Sequence, residues 1–266
     1  MLLIKFYDIK IKQFDSKHIQ VIRYSKPNIT DYVSPSKGKK KSVIDEFNLS
    51  PEDIIYRRKR SNKVSVNRTI NTLYDLARSN SWEYFVTLTF NPDKVDSFDY
   101  NVVTKKLSNW LIVLRRNNPN VKYLGVPERH KTGRYHFHFL FANVSFNLVD
   151  SGKFTDKGLP IYNIGNYKWG FSTAIKVYDT NGISKYICKY ITKDLCFDTK
   201  DKKRYWRSKN LNLPKVYEYD TNIENIDLDL TEFEVIHSQT KTNTYISPVT
   251  GAKVENIVEY IELEKI

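Results

Sequence analysis

Two histidines stand two residues apart in the run Tyr135-His136-Phe137-His138-Phe139-Leu140-Phe141. Strict alternation of this kind belongs to a β-strand, whose successive side chains point to opposite faces. Tyr135, Phe137, Phe139 and Phe141 then share one face, and His136, His138 and Leu140 the other. The first face is fit for a core. The second holds two imidazoles close enough to ligate one divalent ion. Glu128, across the preceding hairpin, supplies a third donor, with His130 in the turn as the competing ligand. Mixed nitrogen and oxygen ligation suits Mg²⁺ or Mn²⁺ acting on a phosphate, and Zn²⁺ also accepts such ligands.

A second group of reactive side chains lies in Ile183–Leu195, where the spacing predicts a helix. Tyr186, Lys189, Tyr190 and Lys193 fall within an arc of about 100°. Ile183, Ile187, Ile191 and Leu195 form the adjoining apolar stripe. Taken alone, tyrosines beside a core stripe and lysines facing water are ordinary surface chemistry. Beside a metal-held phosphate, a tyrosine becomes a candidate nucleophile.

The elements around these groups follow one order. Residues 67–79 and 99–116 read as helices, and 84–90, 121–127, 134–144 and 171–178 as strands. Lys131-Thr132-Gly133 reads as a hairpin turn, and 149–168 as a loop rich in Asp, Gly and Asn. In the first strand Thr87 and Thr89 flank the histidine face as positioning groups. The pattern predicts an α+β fold: an antiparallel sheet with helices packed on one face and the histidines looking out from the other. Three segments are expected. Residues 1–66 hold short strands and a basic linker at Ser36–Lys41; 67–215 form the core; 216–266 form an acidic extension. Within the last, Lys253–Ile266 reads as a further strand or a helix.

Composition points to the partner. Lys and Arg number 43 against 30 Asp and Glu, a formal charge of +13, which favours a polyanion such as nucleic acid. Residues 221–266 carry nine acids against three lysines, so the basic excess lies in the rest of the chain. Arg57, Arg58 and Arg60 form a run that contacts DNA or is simply solvated. No apolar stretch is long enough for a transmembrane helix. Cys188 and Cys196 form no CxxC pair and read as reduced thiols of a cytosolic protein. No phosphate-binding run of the form GxxxxGK[ST] occurs, so DNA unwinding would fall to another enzyme.

Three motifs appear in sequence: FVTLTF at 85–90, His136-Phe137-His138, and Tyr186-x-x-Lys189-Tyr190-x-x-Lys193. In that order the chain resembles the HUH endonucleases, and among them the rolling-circle replication initiators of single-stranded DNA phages and plasmids. The stretch Glu128–His138 and the run Arg204–Lys209 add to the likeness, which covers 67–215. The resemblance implies a palm-like, RRM-like sheet with a metal at Glu128, His136 and His138. It implies nicking of single-stranded origin DNA by Tyr186 or Tyr190 in alternation, with Lys189 supplying positive charge. The products would be a 5′-phosphotyrosine and a 3′-hydroxyl. Arg134, Lys193, Arg204 and Arg207 would contact DNA; host helicase and polymerase would be partners, in the cytoplasm of a bacterial cell. A relaxase or transposase of the same chemistry is the nearest alternative. Another is a non-catalytic nucleic-acid-binding module whose open face carries Phe85 and other aromatics to stack bases.

Overall fold

A computed structural model of the chain describes residues 5–30, 51–191, 202–222, 226, 229–246 and 252–266. Its first elements are β1 (Lys5–Gln13), β2 (His18–Thr30), α1 (Pro51–Arg78), β3 (Tyr84–Phe90) and α2 (Tyr100–Asn117). There follow β4 (Lys122–Arg129), β5 (Tyr135–Ala142), β6 (Leu148–Phe154), β7 (Pro160–Ile164), β8 (Gly170–Lys176) and α3 (Thr180–Cys188). The last are β9 (Trp206–Arg207), β10 (Lys215–Tyr219), β11 (Phe233–Ile246) and β12 (Lys253–Lys265). No helix among the described residues is long and apolar enough to cross a membrane.

The chain is α+β, with two antiparallel sheets, and divides into two compact units: residues 1–49 with 213–266, and residues 50–212. The division differs from the three segments expected. The boundary expected at 66/67 falls inside α1, and the two ends, expected as separate pieces, share one sheet ordered β10-β1-β2-β12-β11. Lys253–Ile266, open between strand and helix on sequence, is the strand β12, paired with β2 at Val21↔Ile261 and Ile19↔Leu263. Its alternation of Glu with apolar residues suits a strand with one packed face. Ile9, Ile11, Ile19, Val21, Tyr219 and Leu263 form the small core of this unit.

The second unit carries a sheet ordered β6-β7-β8-β3-β5-β4-β9. β5 sits inside it, between β3 and β4, and Phe137, Phe139 and Phe141 are fully buried. α2 covers this aromatic face, with Trp110 edge-on to Phe141 at 6.0 Å. Asp99 caps α2 by accepting from the N–H groups of Asn101 and Val102. Gly125 faces Phe139 across the β4–β5 ladder, where a Cβ would overlap the phenyl ring. The helices divide between the two faces of the sheet. Phe85 shares the histidine face by register, and Tyr186 of α3 lies edge-on to it at 5.4 Å. α1 packs beside α3, the Cys188 thiol donating to the Ile70 carbonyl at 3.8 Å.

Three elements depart from the sequence reading. α1 begins at Pro51 rather than 67, because Pro is well tolerated at a first helical position and no Gly or Pro interrupts the next turns. Its early turns are exposed, so they show no apolar period. Residues 149–168, expected as a loop, include the β6–β7 hairpin, paired at Val149↔Asn163 and Phe154↔Pro160. That hairpin is largely exposed, so no apolar alternation announces it. The regular part of α3 runs from Thr180 to Cys188, starting early because Asp179 accepts from Gly182 N–H at 2.9 Å. Beyond it, Lys189, Tyr190 and Ile191 donate to the carbonyls of Tyr186, Ile187 and Cys188, the tighter three-residue pattern of a helix end.

Candidate active site

Strand register builds one face of the second sheet in rows. Glu128 pairs with His136, His136 with Thr89, and Thr89 with Phe171, so these four side chains emerge on one side. Val126, His138, Thr87 and Thr173 form the next row. The threonines meet the inner nitrogens of the imidazoles. Thr87 Oγ1 lies 3.1 Å from His138 Nδ1, and Thr89 Oγ1 lies 3.4 Å from His136 Nδ1. With Nδ1 engaged on both rings, each Nε2 is turned toward the site, the role that outer hydrogen-bond partners play around metal-ligating histidines.

α3 carries both phenols to this face. The Tyr190 ring lies flat against His138, centroids 3.6 Å apart and planes 13° apart. Phe85 is nearly parallel to His138 at 5.8 Å. Tyr186 stands edge-on to Tyr190 at 5.4 Å, and the Tyr190 hydroxyl donates to the Tyr186 oxygen at 2.8 Å. Spacing of four residues on a helix accounts for that adjacency. Tyr186 is the more open of the two, at 41 % exposure, with Lys189 Nζ 5.4 Å from its ring centre. His138 is 5 % exposed beneath Tyr190.

The charges have definite tendencies. The hydrogen bond from His138 holds the Glu128 carboxyl below its ordinary range; burial opposes this, and the nearby imidazoles assist it. Burial pushes His136 toward its neutral form, against the pull of Glu128, with His130, His138 and Arg134 adding to the downward shift. Burial and the contact with Tyr186 keep the Tyr190 proton in place. Burial likewise pushes the Cys188 thiol up to about 12, so it is unreactive.

Glu128, His136 and His138 occupy neighbouring positions, yet they do not surround one point. Glu128 Oε2 sits 2.7 Å from His138 Nε2, a direct hydrogen bond. Among the described residues, no group of three His, Cys, Asp or Glu has an arrangement that would hold a metal. By donor type the set fits a divalent ion: two imidazoles backed by hydroxyls, and an ionised carboxylate. Holding an ion would require the carboxylate to leave Nε2 of His138. His130, the competing ligand, stacks on His136 at 5.3 Å and bonds Thr132 Oγ1 at 3.1 Å.

The basic residues are dispersed. Arg60 is exposed on α1. Arg57 and Arg58 fall on the same helix, their side chains outside those described, and Lys193, Cys196 and Ser36–Lys41 lie outside the described residues. Arg134 leans over Phe98, its guanidinium 5.8 Å from the ring centre. Arg204 Nη1 donates to Ser65 Oγ at 2.7 Å, tying its segment to α1. Arg207 is exposed on β9 and shares the histidine face through its pairing with Leu124.

Phe85, expected among residues stacking bases, is 9 % exposed under Tyr186 and is not open to a base. An aromatic that is open on this face, Phe171, escaped the sequence reading, although its alternation with Ser172 was visible. Asp179, which starts α3 and so sets the phase of both tyrosines, was also missed. An Asp three residues before Gly182 was its signal.

Comparison with known proteins gives one family. A family model of replication-associated proteins, the ORF2 group, matches residues 83–195, the stretch from β3 to just past α3. The match is consistent with a replication initiator. No curated protein and no solved structure matches the chain.

Proposed function

We propose that this chain initiates rolling-circle replication by nicking single-stranded origin DNA through a tyrosine, and that it rejoins the ends. The observation that carries the reading is the packing of Tyr190 on His138 with its hydroxyl on Tyr186, which sets two phenols against a His-Glu centre. The family match over the same residues supports replication as the setting. Mg²⁺ or Mn²⁺ held by Glu128, His136 and His138 would polarise the scissile phosphate and offset charge on its oxygens.

The chain's own groups account for the remaining steps. Tyr186, exposed and accepting a hydrogen bond from Tyr190, is the first nucleophile. The hydrogen bond and the Lys189 ammonium favour its anion as the phenol proton passes to solvent. The Tyr186 oxygen bonds to phosphorus while the bond to the 3′ oxygen breaks, and that oxygen takes up a proton. One phosphoester replaces another, so rejoining needs no ATP. Tyr190 then serves the second cleavage, which releases the completed strand. Host polymerase would extend the 3′-hydroxyl, and host helicase would open the duplex.

The test is to mix the protein with labelled single-stranded origin DNA and Mn²⁺, with chelator in a control, and look for an adduct that survives denaturation. The adduct should vanish with chelator and in the Tyr186→Phe/Tyr190→Phe double variant. Intact binding without an adduct on any single-stranded DNA would refute nicking and favour a binding module. A relaxase or transposase would form the same adduct but on transfer or transposon-end DNA.

A further inference from the structure

On β8 the side chains of Phe171, Thr173 and Ile175 are more exposed than those of Ser172 and Ala174. The first three therefore lie on the open side of the sheet, which register identifies as the histidine side. Phe171 is 53 % exposed and occupies the row of Thr89, His136 and Glu128. Two strand spacings, roughly 10 Å, separate its backbone from that of His136. Elsewhere on this face the apolar rings are engaged: Phe85 lies under Tyr186, and Tyr190 covers His138. Phe171 is stiffly mounted too, since Gly170 before it packs against the backbone at Thr89 and Asn91.

We infer that Phe171 is a stacking platform for a base of single-stranded DNA, next to the phosphate that lies at His136 and His138. This rests on the nicking reading above and names a substrate contact within it. A duplex would keep its bases stacked on one another; an unpaired strand presents free π-faces. Charge favours the same occupant. Exposed Lys94 and Lys168 meet at this end of β8, Lys94 Nζ donating to the Lys168 carbonyl at 3.4 Å, with Asp93 the acid in the same turn. The ring sets where the strand crosses the sheet, and so which phosphate meets the tyrosines. It is a binding and positioning residue, remote from the bonds that change.

The test reads binding without metal. Fluorescence anisotropy with labelled oligothymidylate, in chelator, gives the affinity of wild type, Phe171→Ala, Phe171→Leu and Phe171→Trp. Loss of one stacked base weakens binding by about 5- to 150-fold (~1–3 kcal/mol) in the Ala and Leu variants, while Trp retains affinity. On an abasic oligomer of equal length, which keeps the phosphates and lacks the bases, the four proteins should bind alike. Wild-type affinity in Phe171→Leu would overturn stacking, because Leu keeps the apolar bulk and lacks the ring. An equal loss on the abasic oligomer would overturn it as well. The adduct assay separates the two proposals. If the adduct forms and Phe171 variants bind normally, only this inference fails. If no adduct forms and Phe171 still matters, only nicking fails.

Discussion

The two phenols are not equivalent, and Tyr190→Phe exposes the difference. The substitution leaves the ring stacked on His138 at 3.6 Å and removes only the hydroxyl that donates 2.8 Å to Tyr186. A hydrogen bond to a group acquiring negative charge is worth about 1.5–3 kcal/mol. At about 1.4 kcal/mol per decade, first cleavage should slow by about 10- to 150-fold, with the adduct still on Tyr186. Tyr186→Phe should slow it further, since the remaining phenol is buried against His138 and burial holds its proton. The assay is single-turnover formation of denaturation-resistant adduct, at saturating enzyme and fixed Mn²⁺, for wild type and both single variants. Global stability should barely move in either variant, because each exchanges one neutral hydrogen bond. Equal losses in the two variants, or a Tyr190→Phe rate within twofold of wild type, would refute the assignment of donor and nucleophile.

Three further outcomes are expected. His136→Ala and His138→Ala should abolish the adduct while leaving the slope of log affinity against log salt unchanged, because dispersed basic residues supply the phosphate contacts; thermal melting should fall more for His138, which lies between Phe85 and Tyr190. Thr87→Val removes the hydroxyl at His138 Nδ1 and should weaken Mn²⁺ activation about 10- to 100-fold in a metal titration, with Thr87→Ser recovering most of it. Glu128 has a folded pKa below its ordinary value, so its stabilising effect is complete above the unfolded value and is lost as pH falls through the folded one. Urea unfolding of Glu128→Gln should show a flatter acid limb than wild type; identical limbs would contradict the His138 pairing.

How much of this could be read from the sequence varied by element. The strand at Tyr135–Ala142 was legible because its alternation sorts by chemistry as well as hydropathy. α2 was legible from its apolar stripe, realised in buried Val103, Leu107, Trp110 and Leu114. The β6–β7 hairpin was not, since a strand exposed on both sides carries no alternation. The sheet shared by the two chain ends was equally hidden: Val21 and Ile261 pair across most of the chain, and nothing local in either strand specifies the partner. At the site, residue types announced the histidines, Glu128 and the tyrosines. The direct Glu128–His138 bond, the stack of Tyr190 on His138 and the covering of Phe85 arise from how α3 docks on the sheet, and periodicity carries no information about docking.

Mapping the covalent DNA adduct by mass spectrometry tests the central claim most directly. Trypsin should separate the candidates, since Tyr186-Ile187-Cys188-Lys189 and Tyr190-Ile191-Thr192-Lys193 are consecutive tryptic peptides. After one turnover of wild type, the account predicts a nucleotide 5′-phosphate on Tyr186 in the first peptide. With Tyr186→Phe, the adduct should move to Tyr190 in the second. An adduct on any residue outside these two peptides, or none under conditions where single-stranded DNA is cut, would contradict the account.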